Sequence, residues 1–350
     1  MIFPLVSIIS EEDNLPMQRQ ILLIGQNGSS MEEYLLEDVS KLWLQYRKGE
    51  IRESTYALYY QKVHRYIIPD LGKTRLKDLT ETQLNGFIEK QLEEGGLSAR
   101  RGLSWKTVSD LRSVLGMILE WAAKNGFPEV GSIKLHMPPV MPQELEVLST
   151  REQRKLEKYL LNDMNEVRLG PLLSLYTGLR IGEVCGLKWG DVDFKRGTLS
   201  VRRTVMRIQE TNGNSSKKTK VMITTPKTYC SNRTVPIPAD IIKLLEPFQG
   251  ESEVFVLSGS KECMEPRILT GHYKKILKSA GLDSYRYHAL RHTFATRCVE
   301  QGIDIKTLSE IMGHSSVKIT MDRYVHPSMD YKKKQVNRLH LIKEAVQKQK

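Results

Sequence analysis

Apolar residues recur three and four positions apart from about Glu32 to Lys124, the spacing of one buried helix face. Leu35, Leu36, Val39, Leu42 and Trp43 make a first stripe, and Leu58, Val63, Tyr66 and Ile67 a second. Leu84, Phe87, Ile88 and Leu92 make a third, closed by Gly95 and Gly96. Ser104 is placed as an N-cap, and Val108, Leu111, Leu115, Ile118, Leu119 and Ala122 follow it to a stop near Gly126. The pattern predicts an all-α unit of four helices over residues 31–126. Residues 127–146, with Pro128, Pro138, Pro139 and Pro142, cannot continue a helix and read as a linker.

Beyond the linker the pattern becomes mixed. Ser149-Thr-Arg-Glu152 has the form of a capping box and opens helices over about 150–190. β-rich runs follow at Thr198–Ile208, Lys220–Thr225 and Arg233–Ile237, and helical spacing returns from Ala239. Between the first two runs, Gln209–Lys220 reads as a hairpin tip carrying Lys217, Lys218 and Lys220. Residues 147–326 are thus expected to form a mixed α/β domain. Residues 327–350, with Val336, Leu339, Leu341, Ile342 and Val346, are expected to form an amphipathic tail helix. The fold class predicted is mainly α with a small antiparallel β-sheet.

Composition narrows the function. The 350 residues hold 53 Lys and Arg against 41 Asp and Glu, a net charge of +12 that favours a polyanionic partner. The first 30 residues do not share it: Arg19 stands alone against Glu11, Glu12 and Asp13. This stretch is expected to be a poorly ordered leader, or sequence upstream of a start at Met31, and a poor candidate for contacting a polyanion. No run reaches the roughly 18 apolar residues of a membrane span. Cys185, Cys230, Cys263 and Cys298 are dispersed, without a C-x-x-C pair, and read as free thiols of a reducing, cytoplasmic compartment.

Four segments of the second domain carry candidate chemistry. In Tyr176-Thr-Gly-Leu-Arg180-Ile-Gly-Glu183, Gly178 breaks one helix and puts the Arg180 guanidinium at the start of the next, where it suits a phosphate; the plainer reading is a surface pair with Glu183. In Pro226-Lys227, an ammonium stands in a turn before a strand, by default a solvated lysine. In His288-Ala-Leu-Arg291-His292, His288 and Arg291 share a helix face while Leu290, Phe294 and Cys298 point to the core; His292, four residues after His288, could join that face but reads first as a structural, hydrogen-bonded histidine. In Gly313-His314-Ser-Ser-Val-Lys-Ile-Thr320-Met-Asp-Arg-Tyr324, Gly313 suits a helix end, His314 an exposed break, and Thr320 the cap of a short helix bearing Tyr324, itself by default a packing residue.

Together and in this order, the four segments resemble the tyrosine recombinase (phage integrase) family over about residues 34–326. Ser54-Thr-Tyr, Ile68-Pro-Asp-Leu-Gly72 and Ser104-Trp-Lys-Thr-Val108 look like that family's core-binding domain. The resemblance implies Tyr324 as nucleophile, Arg180 and Arg291 as a clamp on the scissile phosphate, and Lys227 as acid for the leaving 5′-oxygen. It further implies His288 as proton acceptor and donor for the tyrosine, and His314 as donor to a non-bridging oxygen. It implies no cofactor and no metal, a 3′-phosphotyrosyl intermediate, and double-stranded DNA at core sites as partner. A homotetramer on DNA is expected, with the tail docked on a neighbour or on its own domain, and with accessory DNA-bending or excision factors. Lys106, Arg112, Arg100, Arg101, Lys217, Lys218 and Lys220 are the expected DNA contacts. The long hairpin looks most like integrases of temperate phages or integrative conjugative elements, although the leader is too short and acidic for an arm-binding domain. The rivals are a type IB topoisomerase, which shares the chemistry, and a non-catalytic DNA-binding protein.

Overall fold

The structure, a computed structural model, describes residues 34–96, 102–127, 135–139, 145–211, 218–225 and 232–324, together with Lys333 and Val336. Arg100, Arg101, Lys217, Lys227, the leader and nearly all of the tail lie outside the described residues. The chain divides into two units, one from Met1–Pro142 with Ile208–Lys220 and the other from Gln143–Arg207 with Val221–Lys350. No helix among the described residues is long and apolar enough to cross a membrane.

The first unit is helical. Helix α1 (Leu36–Arg47) buries Leu36, Val39 and Trp43. Helix α2 (Glu53–Lys62) runs on through a π turn (Val63–Ile67) into a last turn, Ile68–Leu71. Pro69 accounts for the wider turn, because its ring clashes with the carbonyl four residues back and cannot close an α-helical bond there. Helices α3 (Glu81–Glu93) and α4 (Trp105–Lys124) are capped by Thr80 and Ser104, whose hydroxyls accept from the Gln83 and Thr107 amides. Their apolar faces meet in one core with Leu84, Phe87, Ile88, Val108, Leu115 and Ile118. Residues 135–139 lie along α4, with Trp105 Nε1 donating to the Pro138 carbonyl and Arg112 Nη1 to that of Leu135.

The second unit opens with α5 (Thr150–Leu161), closed at its start by the reciprocal Ser149–Glu152 box. Helices α6 (Glu166–Thr177) and α7 (Ile181–Cys185) follow. Strands β1 (Val192–Asp193), β2 (Thr198–Val201) and β5 (Arg233–Pro236) form an antiparallel sheet in the order β1-β2-β5, with Leu199 opposite Val235. Strands β3 (Thr204–Gln209) and β4 (Thr219–Thr224) form a separate ribbon. The run expected as one β segment over Thr198–Ile208 is therefore two strands. The chain breaks at Arg202 and Arg203 because Arg203 turns in to the Gly186 carbonyl and the buried Asp191 carboxylate. Helices α8 (Ala239–Leu245), α9 (Pro266–Ser279), α10 (His288–Glu300), α11 (Ile305–Met312) and α12 (Val317–Tyr324) complete the unit. The architecture is mainly helical with small antiparallel sheets.

Candidate active site

Two left-handed glycines shape the site. Gly178 ends α6 at φ 68°, and a Cβ there would sit 2.6 Å from the Phe294 ring and 2.9 Å from the Met312 sulfur. Gly313 ends α11 at φ 62°, where a Cβ would meet the Arg233 side chain at 2.9 Å. Only glycine meets both demands without strain or clash. The sharp turn at Gly178 delivers Arg180 to the start of α7. Its amide donates to Glu183 Oε2 and its Nη1 to Oε1, both at 2.9 Å, and its Nη2 reaches the Gly313 carbonyl at 3.3 Å. Glu183 is buried and also binds Arg233, whose Nη1 and Nη2 each stand 3.1 Å from a carboxylate oxygen. Burial works to raise the Glu183 pKa, but the arginines prevail and hold it below the usual carboxylate range. The plain pair of Arg180 with Glu183 thus exists, and it fixes the guanidinium while leaving it partly exposed.

Helix α10 supplies the second arginine. Arg291 is 2% exposed, and such a burial stands only if every donor is matched. Its Nη1 donates to the Gly178 carbonyl, its Nη2 to the Met312 carbonyl at 2.6 Å, and the same nitrogen lies 3.0 Å from His314 Nε2. Burial, reinforced by the Arg180 charge, pushes the Arg291 pKa down to about 9, which leaves it charged at neutral pH. The two glycine turns and both arginines are thereby stitched together.

His314 and Tyr324 complete the cluster. His314 Nδ1 lies 2.8 Å from Thr320 Oγ1, and its ring runs parallel to that of Tyr324 with centroids 6.3 Å apart. Tyr324 is 6% exposed, and its hydroxyl lies 2.8 Å from His292 Nδ1. His288, at the exposed start of α10, meets His292 edge to face at 4.5 Å. Loss of solvent and the surrounding positive charge push His292 down to about 4 and His314 to about 3. His288 keeps an exposed face, but its packing against the site and the charges of Arg291, Arg180 and Arg323 lower it as well, so all three rings are neutral at pH 7. Burial raises the Tyr324 phenol above its ordinary value, while Arg291, Arg323 and Arg180 pull the other way. A phenol ringed by fixed cations and neutral imidazoles is equipped to attack a phosphodiester that those cations hold.

The family described as the phage integrase family matches residues 147–330, more than half of the chain, and the phage integrase N-terminal SAM-like domain matches residues 35–92. The chain belongs to the phage integrase family. A XerC-like tyrosine recombinase of Caldanaerobacter subterraneus is 28% identical over 330 residues, covering 86% of this chain and 82% of the relative. The fold is that of the Tn1549 transposon integrase solved with transposon right end DNA (TM-score 0.70, 19% identity, 87% of this chain and 99% of that one). It is shared by a lambda integrase tetramer bound to a Holliday junction (TM-score 0.61, 17% identity, 93% and 86%). This integrase is accordingly a tyrosine recombinase, an enzyme that breaks and rejoins DNA.

Of the residues expected at its site, Arg180, His288, Arg291, His314 and Tyr324 come together, from segments spread over the second unit. Lys227 lies outside the described residues. One member of the cluster, Arg233, escaped the sequence reading, and two appear in it only as the plain partner of Arg180 (Glu183) and a structural histidine (His292). Glu183, on α7, anchors Arg180 and is itself held by Arg233 from β5, and His292 is bonded to the Tyr324 hydroxyl. His292 was legible as a hydrogen-bonded histidine, but its partner 32 residues away was not. Thr320 is not a cap: α12 begins three residues earlier, where the Ser316 hydroxyl accepts from the Lys318 amide.

The expected DNA contacts of the integrase differ in availability. Lys106 is exposed and pairs with Asp110 one turn on, a weak surface pair that a phosphate can displace. Arg112 is partly buried and held by the Leu135 carbonyl. Lys218 is exposed, and Lys220 lies 3.6 Å from Glu210 on the same ribbon.

Proposed function

We propose that this integrase cleaves and rejoins core-type sites in duplex DNA to move a mobile element, using Tyr324 as nucleophile. The single observation that carries the reading is the Tyr324 hydroxyl, bonded to a neutral imidazole and under the field of Arg291 and Arg180. Arg180 and Arg291 hold the scissile phosphate. The Tyr324 oxygen attacks phosphorus, the bond from phosphorus to the 5′-oxygen breaks, and the phenolic proton passes to the imidazole pair of His292 and His288. Lys227 supplies the proton to the leaving 5′-oxygen, and His314 donates to a non-bridging oxygen. The 3′-phosphotyrosyl bond conserves the energy of the diester, so a second 5′-hydroxyl can reverse the step without ATP.

The same reading assigns residues 31–126 to core binding, 127–146 to the linker, 147–326 to catalysis and 327–350 to the tail. Four copies act on two sites, as in the junction-bound tetramer of lambda integrase, with the tail and accessory factors serving assembly. Lys106, Arg112, Arg100, Arg101 and the hairpin lysines contact the DNA backbone. Changing Lys217, Lys218 and Lys220 together to Ala is expected to reduce the slope of log affinity against log salt by about 1 for each phosphate that is no longer neutralised. An unchanged slope removes the hairpin from the DNA interface.

Plasmids carrying the sequences that flank the gene in its genome test the proposal. Strand exchange between two such plasmids is the expected product. Relaxation of any supercoiled plasmid without exchange would assign the chain to topoisomerase chemistry instead.

A further inference from the structure

The hydrogen bond between Thr320 and His314 bears directly on the proposed reaction. Arg291 can only donate, so at 3.0 Å from its Nη2 the His314 Nε2 must accept. The proton of the neutral ring therefore sits on Nδ1, and at 2.8 Å Nδ1 donates to Thr320 Oγ1. Donation from His314 to a phosphate oxygen requires the opposite tautomer, with the proton on Nε2 and a bare Nδ1. A hydroxyl meets both cases, because it accepts from Nδ1–H in the first and donates to Nδ1 in the second. The ring stays neutral: one proton leaves Nδ1 for water and another from water arrives at Nε2.

Thr320 is fully buried, and it lies four residues before Tyr324 on α12, so the two side chains share one helix face. The bond that selects the His314 tautomer thereby also pins the nucleophile's helix against the arginine cluster. We propose that Thr320 is a positioning residue that switches the His314 tautomer when phosphate binds and registers the Tyr324 helix against Arg291. The proposal rests on the reading of Tyr324 as nucleophile and His314 as phosphate donor.

The test uses the full chain and a nicked duplex containing the junction sequence, so that the covalent complex accumulates. Thr320→Val keeps the shape and loses the hydroxyl; Thr320→Ala loses the hydroxyl without adding bulk, for use if the valine variant does not fold. Either is expected to slow covalent-complex formation at saturating protein about tenfold or more, the effect of one hydrogen bond missing from the transition state. DNA affinity is expected to stay within about twofold, since phosphate contacts elsewhere dominate it. Thr320→Ser is expected to restore the rate. Nitrogen-15 shifts of His314 are expected to show a pyrrole-type Nδ1 in the free protein and a pyrrole-type Nε2 on DNA. Wild-type rates in the hydroxyl-free variants, a serine variant as slow as valine, or an unchanged tautomer would overturn the proposal. The underlying reading fails separately, if Tyr324→Phe still forms the adduct.

Discussion

Tyr324→Phe is expected to abolish the covalent complex on a nicked duplex while the protein still folds and binds DNA. The phenol is about one part in a thousand ionised at pH 7, a deficit of roughly 4 kcal/mol that an unassisted hydroxyl cannot recover. Within this site burial deepens the deficit, and the Arg291, Arg323 and Arg180 charges oppose it. A bound phosphate changes the balance, because its oxygens occupy the arginines and its negative charge makes the neighbouring imidazoles better proton acceptors. Phenylalanine has no oxygen to attack phosphorus. The same change leaves His292 Nδ1 without its partner, so a loss of about 1 kcal/mol of stability is expected alongside the missing chemistry. Denaturant unfolding measures the second effect, and gel mobility of the adduct the first. A phenylalanine variant that still links to DNA would remove Tyr324 from the reaction.

The second large effect is expected at Arg291. Arg291→Ala deletes a buried guanidinium that satisfies the Gly178 and Met312 carbonyls and faces His314. Two buried acceptors lose their donors, which costs about 2 kcal/mol of stability after the relief of burying a charge is set against it. Cleavage is expected to fall further, by about 1,000-fold, the scale of removing a preorganised donor from a developing oxyanion. Arg291→Lys is expected to recover the stability better than the rate. An ammonium can reach one acceptor, but it lacks the fork that holds two carbonyls and a phosphate in one plane. If lysine restores both in full, Arg291 acts as a bare charge and its fork geometry is irrelevant.

Much of this is visible in the amino-acid sequence, and the reason is locality. Ser104, Ser149 with Glu152, Gly178 and Gly313 act within one turn of themselves, so their type and spacing disclose the helix ends they make. The apolar stripes of α1, α3 and α4 likewise record one buried face each. What stays hidden depends on partners chosen by the fold. Arg233 meets Glu183 across 50 residues, and neither side chain signals the other in the sequence. The break at Arg202 and Arg203 depends on a buried Asp191 that a run of β-formers does not reveal. The widened turn in α2 could have been anticipated from Pro69, since its consequence is local.

The cluster also explains why a cationic centre needs neutral histidines. Arg180 and Arg233 share one buried carboxylate, Glu183, and Arg291 stands beside them against His314, so a further protonated ring there would add repulsion. The depressed pKa values of His288, His292 and His314 are the result, and at His288 and His292 they leave lone pairs available to a departing proton.

The central claim is a bond between the Tyr324 oxygen and a DNA 3′-phosphate. Tryptic digestion cuts after Arg323, so the adduct trapped on a nicked duplex and trimmed with nuclease would appear on the peptide that starts at Tyr324 and also contains Tyr331. Fragment-ion mass spectrometry separates the two tyrosines. The expected spectrum places a nucleotide 3′-phosphate on Tyr324; the same mass on Tyr331 or another residue, or a linkage to the 5′ end, would contradict the account.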